Sequence, residues 1–373
     1  MMKLIYTLIA ACMLLISCQN TKNKPEETPV GTETIRYAQG FSIRHYKDYS
    51  TVEVRNPWDT TKLLQRYVLI DRNSEEPENL PKGTVVRTPV KNIVAYTSVH
   101  VAIIDQLGES DKIIGVCEPR YMDTPVIQNG LKEGKITDLG EATSPNVEKM
   151  IEINAELVIA SPFQNSSYGP VEKIGIPIIE GADYMENLPL GRTEWIKFYG
   201  LLLGKESKAD SIFRETEQRY LKLKELTANI KDKPTVFTEK KFGASWYMPA
   251  KSSYIAHLLE DAGAEYIFRD LEGAGSIPLT FEQVFEKAIH ADIWLIKYNL
   301  AKDMTYRELE SEYSPYRNFD AFKNRKIFGC NTGIVPYYEE FPLHPDYLLE
   351  DFIKIFHPEI IGDREFRYYK PME

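Results

Sequence analysis

Between positions 206 and 230 the apolar and small residues fall at Ala209, Ile212, Phe213, Thr216, Tyr220, Leu223, Thr227 and Ile230, mostly three or four apart. Lys, Arg, Glu and Gln fill the positions between them. The pattern predicts an amphipathic α-helix with one buried face. Gly204 suits the end of a preceding helix, Glu206 and Asp210 suit a first turn, and Pro234 bars continuation. At 1.5 Å per residue the helix would run roughly 35 Å, the width of a small domain.

A repeated pattern flanks this stretch. Upstream, Val147-Glu148-Lys149-Met150-Ile151-Glu152 leads into Ala155-Glu156-Leu157-Val158-Ile159-Ala160. Downstream, Phe281-Glu282-Gln283-Val284-Phe285-Glu286 leads into Ala291-Asp292-Ile293-Trp294-Leu295-Ile296. Each reads as a short helix opening on an apolar–Glu pair, then a buried parallel strand. Glu148 and Glu282 stand 134 positions apart, with the long helix between them. Two similar α/β halves joined by one rigid helix is the simplest account.

The rest of the chain fits that frame. Residues 35–71 alternate apolar and polar positions, with Asn56-Pro57-Trp58-Asp59 as a turn, and predict a small antiparallel β extension at 34–80. Residues 81–204 form a first lobe, with strands at 85–90, 93–96, 113–116, 157–160 and 176–179. Its helices fall at 99–107, after Asn146, at 168–174 and at 188–203. The connecting helix takes 205–232, and a second lobe takes 233–373. That lobe has strands opening at Thr235, Ile293 and Lys326, and helices at 254–261, after Thr280 and at 346–356. The expected fold is therefore α/β: two Rossmann-like lobes with central parallel sheets, one long α-helix joining them, and the N-terminal β extension.

Residues 1–17 stand apart. Lys3 precedes an apolar run at 4–16, the length of a signal-peptide core rather than of a bilayer span. Leu15-Ile16-Ser17-Cys18 resembles the lipobox of bacterial lipoproteins, which implies cleavage before Cys18 and a lipid on its thiol. Residues 18–33, rich in Lys, Glu, Thr, Asn and Pro, read as a tether. The expectation is a protein on the periplasmic side of a bacterial cell envelope, anchored to a membrane. A net charge of −10 without any Lys/Arg cluster argues against a nucleic-acid partner. Cys117 and Cys330 fall in different halves, where a bridge would lock any hinge, so two free, semi-buried thiols are expected. Cys12 would leave with the signal.

Catalytic and cofactor motifs are missing: no G-x-S-x-G, no H-E-x-x-H, no paired C-x-x-C, no phosphate-binding G-x-x-x-x-G-K. The reading is a non-enzyme without a cofactor. Four features occur in order along the chain. They are the lipobox, the strand end Gly115-Val116 followed by Arg120-Tyr121-Met122-Asp123-Thr124-Pro125, the helix start Asn146-Val147-Glu148, and the helix start Phe281-Glu282-Gln283-Val284. Together they resemble the class III periplasmic substrate-binding proteins of ABC importers for cobalamin, ferric siderophores and haem, over residues 85–360. The resemblance implies a monomer with two lobes that open only slightly on one long helix, and a bulky organic ligand in the cleft. It also implies that Glu148 and Glu282 dock on arginines of the permease dimer, which works with its ATPase. A carboxylate in a first helical turn is stabilised by the helix dipole, and two of them make a two-point electrostatic dock.

Candidates for ligand contact are Arg120 and Tyr121 after the 113–116 strand, Trp246 and Tyr247 after the first strand of lobe two, and Tyr337 and Tyr338 after Gly333. Such aromatics could stack a macrocycle or aryl rings, with Arg120 pairing an acidic group. Tyr121 falls where the corrinoid binders carry a cleft tyrosine. Their cleft tryptophans would fall at Ala142 and Ser276, neither of which stacks on a corrin. A ferric siderophore or haem is therefore at least as good a ligand as a corrinoid. The alternatives are a Zn or Mn receptor, which needs converging His and carboxylates, and an envelope lipoprotein enzyme. His100 lies near a strand end, but the sequence offers it no partner set.

Overall fold

A computed structural model describes residues 28–373. The apolar run at 4–16, Cys12 and the lipidation candidate Cys18 lie outside the described residues. The long helix forms over Glu206–Thr227, and its buried positions, Ala209, Phe213, Thr216, Glu217, Tyr220, Leu223 and Thr227, keep the spacing read from the sequence. Ala209 and Phe213 pack into the core of the first lobe, Tyr220 and Leu223 into that of the second. One rigid element thus belongs to both cores. Gly204 ends the preceding helix at φ +66°, a left-handed cap that a Cβ would strain.

Each lobe is built on a parallel sheet of the same topology. In the first, Ile93–Ala95 is central, with Ile113–Val116 and then Thr137–Asp138 on one side, and Leu157–Ala160 and then Ile178–Glu180 on the other. In the second, Thr235–Thr238 has Glu265–Tyr266 on one side, with Ile293–Tyr298 and then Ile327–Asn331 on the other. With the short edge strand Thr137–Asp138 set aside, the order of the four parallel strands is identical in the two lobes. The second lobe ends in an antiparallel edge strand, Tyr369–Pro371. The helices carrying Glu148 (Val147–Glu152) and Glu282 (Phe281–Ala288) precede equivalent strands. Asn146 caps the first through its side chain, and Thr280 with Gln283 forms a capping box on the second.

Several elements differ from expectation. Thr84–Thr88 joins the N-terminal sheet, parallel to Leu63–Asp71, instead of the first lobe. It buries only Val86, as suits an outer strand, whereas Ile93–Ala95 buries all three residues between covered faces. The predicted helix at 188–203 breaks at Trp195 into Pro189–Glu194 and Ile196–Leu203. The one at 168–174 is a short 3-10 turn, Gly169–Lys173. Helices Pro125–Lys132 and Tyr306–Glu312 were not anticipated. Cys117 and Cys330 are unbridged and fully buried in separate clusters, deeper than a semi-buried expectation.

The N-terminal sheet is tied to the first lobe and the connecting helix by the segment before strand Phe41–His45. Glu194 accepts the backbone N–H groups of Arg36, Tyr37 and Ala38 at 2.8–3.0 Å. Glu186 accepts those of Gln39 and Gly40 and the indole N–H of Trp195. Glu217 on the connecting helix accepts from Arg36 Nη2 at 2.6 Å and Tyr37 Oη at 2.7 Å. A Cβ at Gly40 would come within 2.9 Å of Glu186 and Trp195, so only glycine lets the backbone approach that closely.

Candidate functional site

In a parallel α/β sheet the loops at the carboxyl ends of the strands border the ligand crevice. Here these ends meet across the lobe junction. After Ile327–Asn331 the chain forms the short helix Tyr337–Glu340, which packs against Ser98–Gln106, the helix that follows the central strand of lobe one. Leu343 then enters the first lobe's core, and Thr193 Oγ1 donates to the Pro342 carbonyl at 3.0 Å.

Large apolar side chains left in water cluster at these same ends. In lobe one they are Tyr121 and Phe163; in lobe two they are Phe242, Tyr247, Leu300, Ile334 and Tyr338. Phe242 is 78% exposed and Phe163 65%, an exposure of aromatic area that calls for a partner. A cavity of about 320 Å³ opens beside Phe242 and Leu300 at the end of strand Ile293–Tyr298. A wider hollow of about 960 Å³ lies at the opposite end of lobe two, by Pro234, Asp292 and Lys326, and has none of these exposed side chains on its wall.

The residues singled out from the sequence divide into two groups. Tyr121, Tyr247 and Tyr338 are exposed at the strand ends. Trp246 and Tyr337 are not. Trp246 lies on a β-ribbon, Trp246–Pro249 paired with Ser276–Leu279, instead of in a loop. Its ring is fully buried, 5.6 Å from Trp294 and 5.7 Å from Tyr316, with Nε1 donating to the Thr238 carbonyl. Tyr337 is buried against Phe341 and Tyr368. Both rings are core residues here, enclosed in part by aromatic neighbours from distant parts of the chain, Trp294 and Tyr316 for Trp246 and Tyr368 for Tyr337. Ala142 is half-buried, while Ser276 is exposed on the ribbon.

Arg120 is exposed but already engaged. Its guanidinium makes a bidentate pair with Glu141 at 2.7 and 3.0 Å and lies 4.6 Å above the Tyr121 ring. That hydrogen-bonded guanidinium holds the Glu141 carboxyl down to about 2. On the other lobe Lys297 Nζ lies 2.5 Å from Glu239 Oε1 and 5.9 Å from the Tyr337 ring centroid. Burial works against the Lys297 charge, but the Glu239 carboxylate outweighs it and the ammonium is held above its usual range. Glu239 itself sits at φ +64°, a strained position directly at a strand end.

Phe163, Phe242, Leu300 and Ile334 escaped the sequence reading. Phe163 and Phe242 stand as lone large apolar residues in polar loops directly after a strand, and that isolation was the available signal. Glu148 and Glu282 are both exposed and make no ion pair among the described residues. Each lies in the first turn of a helix that runs back from the strand ends, so both flank the crevice side of their lobes. His100 is buried, with Nδ1 at 3.0 Å from Thr97 Oγ1 and Nε2 facing Asp183, away from the exposed set. Among the described residues no three or more His, Cys, Asp or Glu side chains converge to hold a metal, and no helix is long and apolar enough to cross a membrane.

The chain resembles several known proteins. An uncharacterised lipoprotein of Methanocaldococcus jannaschii is 27% identical over 375 residues, covering 94% of this chain and 88% of the relative. So little is left unmatched that the N-terminal sheet must fall largely within the likeness. A solved structure from Staphylococcus epidermidis, described as a possible iron-binding periplasmic solute-binding protein, superposes with a TM-score of 0.57 at 21% identity. It covers 71% of this chain and 98% of that one. A periplasmic haem-binding protein of Pseudomonas aeruginosa gives a TM-score of 0.57 at 16% identity, covering 76% and 98%. The family profile of periplasmic binding proteins matches residues 93–332, the parallel strands of both sheets and the helix between them. Matched over most of its length and built as two lobes on one long helix, this chain belongs to the periplasmic binding protein family, in its class III form.

Proposed function

We propose that this protein is the receptor of an ABC importer, capturing a bulky organic complex between its lobes without chemically altering it. The observation that carries this reading is the gathering of exposed aromatic and aliphatic side chains at the carboxyl ends of both sheets. Free in water they are a cost, and a large apolar ligand would remove it. An iron complex, a ferric siderophore or haem, is the favoured cargo, with a corrinoid next. Relatives described as binding iron or haem support that choice. The absence of aromatic rings at Ala142 and Ser276 weighs against a corrinoid. Glu148 and Glu282 would present two carboxylates to the permease, and a lipid on Cys18 would hold the receptor at the membrane. The lipoprotein relatives support the latter.

The test is isothermal titration calorimetry of the full-length chain in mild detergent against ferric siderophores, haem and cobalamin. Saturable one-site binding to one iron complex is expected. Tyr121→Ala and Tyr338→Ala should each weaken it by about 1–2 kcal/mol, roughly five- to thirtyfold. Cobalamin binding alone would reassign the cargo. Absence of saturable binding to all three classes would defeat the reading.

A further inference from the structure

The charges at the crevice point to the kind of complex it takes, an inference that rests on the receptor reading above. Basic side chains are present at the strand ends, but most are already neutralised. Arg120 is clamped by Glu141. Lys297 pairs with Glu239, and Lys240 with Glu312. Of these four cations only Lys241 lacks a carboxylate; its Nζ donates to the Gly243 carbonyl and lies 5.0 Å from the Tyr313 ring.

Carboxylates, in contrast, are left over. Glu118 reaches Arg120 only at 3.4 Å, and that guanidinium already serves Glu141 in bidentate fashion. Asp123 on the first lobe and Glu339 on the second make no ion pair among the described residues. Burial, with the negative charge of Asp123 adding to it, pushes the Glu339 carboxyl up. The crevice is thus aromatic-walled with a surplus of negative charge.

We infer that this crevice selects an iron complex without net negative charge, an uncharged ferric tris-hydroxamate chelate, over a trianionic ferric tris-catecholate. Three hydroxamates cancel the charge of Fe³⁺, whereas three catecholates leave a charge of −3 on the chelate. A trianion entering this crevice would meet Asp123 and Glu339, which make no ion pair among the described residues, with Lys241 the uncommitted member of those four cations, a repulsion that discriminates against it. Its apolar periphery gives the neutral chelate the same stacking surface without that opposition.

The experiment compares the two chelates, with haemin as a third ligand, by calorimetry on the full-length protein in non-ionic detergent. The uncharged chelate should bind at least about tenfold more tightly than the trianion at low ionic strength, with the gap narrowing as salt is raised. The exposed and half-buried acids are then neutralised together in Glu118→Gln/Asp123→Asn/Glu339→Gln. That variant should improve trianion binding about tenfold and leave the uncharged chelate within about twofold. A wild-type protein that binds the trianion as well as the neutral chelate, or haemin better than either, overturns the charge inference while the receptor reading stands. No binding of any iron complex overturns the charge inference, and only if cobalamin also fails to bind does the receptor reading fall with it. Because the decisive comparison uses the wild-type chain, it does not depend on how the variant folds.

Discussion

Trp246 and Tyr247 are neighbours in sequence and opposite in fate. On a β-ribbon successive side chains point to opposite faces, so the indole enters an aromatic cluster with Phe237, Trp294 and Tyr316 while the phenol faces water. Trp246→Ala should lower the unfolding free energy by about 3–5 kcal/mol, since it empties a filled core. Tyr247→Ala should leave stability within about 0.5 kcal/mol and weaken ligand binding instead. Urea denaturation and calorimetry on the two variants separate these effects, and equal destabilisation by both would refute the assignment. The same contrast holds for Tyr337 and Tyr338. Legibility was thus partial at this scale: aromatic residues after strands were visible in the sequence, but which ring of each pair is enclosed depends on residues such as Trp294 and Tyr316 for Trp246 and Tyr368 for Tyr337, which no local pattern brings alongside. The thiols follow the same logic, for burial pushes Cys117 and Cys330 up to about 12 and leaves them protonated at neutral pH.

The segment Arg36 to Gly40 behaves as a strap. Its consecutive N–H groups join no strand ladder, and three carboxylates, Glu186 and Glu194 ahead of the connecting helix and Glu217 on it, take them and the neighbouring side chains instead. Glu194 is fully buried, and its two oxygens serve three backbone donors. Glu194→Ala would strand those donors and should cost about 3–5 kcal/mol in a denaturant melt. Glu206→Ala, at an exposed position, should stay within about 0.5 kcal/mol. Indistinguishable melts for the two variants would mean that the strap is ornamental. The solved relatives named above cover 71–76% of this chain and nearly all of themselves, and the family match begins at residue 93, after the strap and its sheet. The strap is therefore an addition to the shared two-lobed body, fastened where the lobes join.

For the whole molecule, one helix of 22 residues runs through both cores, and the strap grips it at Glu217. Large hinge motion would have to break a continuous helix or unpack two cores at once, so a small closure is the cheaper response to a ligand. The two sheets share a strand order, which sets Glu148 and Glu282 at corresponding places on the crevice side. If these carboxylates form the dock, Glu148→Ala/Glu282→Ala should keep the ligand affinity within about twofold while lowering ligand uptake about tenfold or more in cells carrying the variant. Unchanged uptake would remove the two glutamates from the proposal.

The sequence by itself determined what short-range periodicity controls. The 3–4 spacing of the connecting helix, the Gly204 stop, the alternation in the first strands and the paired apolar–Glu helix starts each depend on residues a few positions apart. The repeat of those local patterns was enough to expose two α/β lobes. Only the tertiary structure decided which sheet receives Thr84–Thr88 and which aromatic rings stay in water. It alone decided that Glu186, Glu194 and Glu217 converge on one segment some 150–180 positions upstream. Edge pairing, burial and carboxylate convergence are set by what distant chain segments bring alongside, and no local period encodes that.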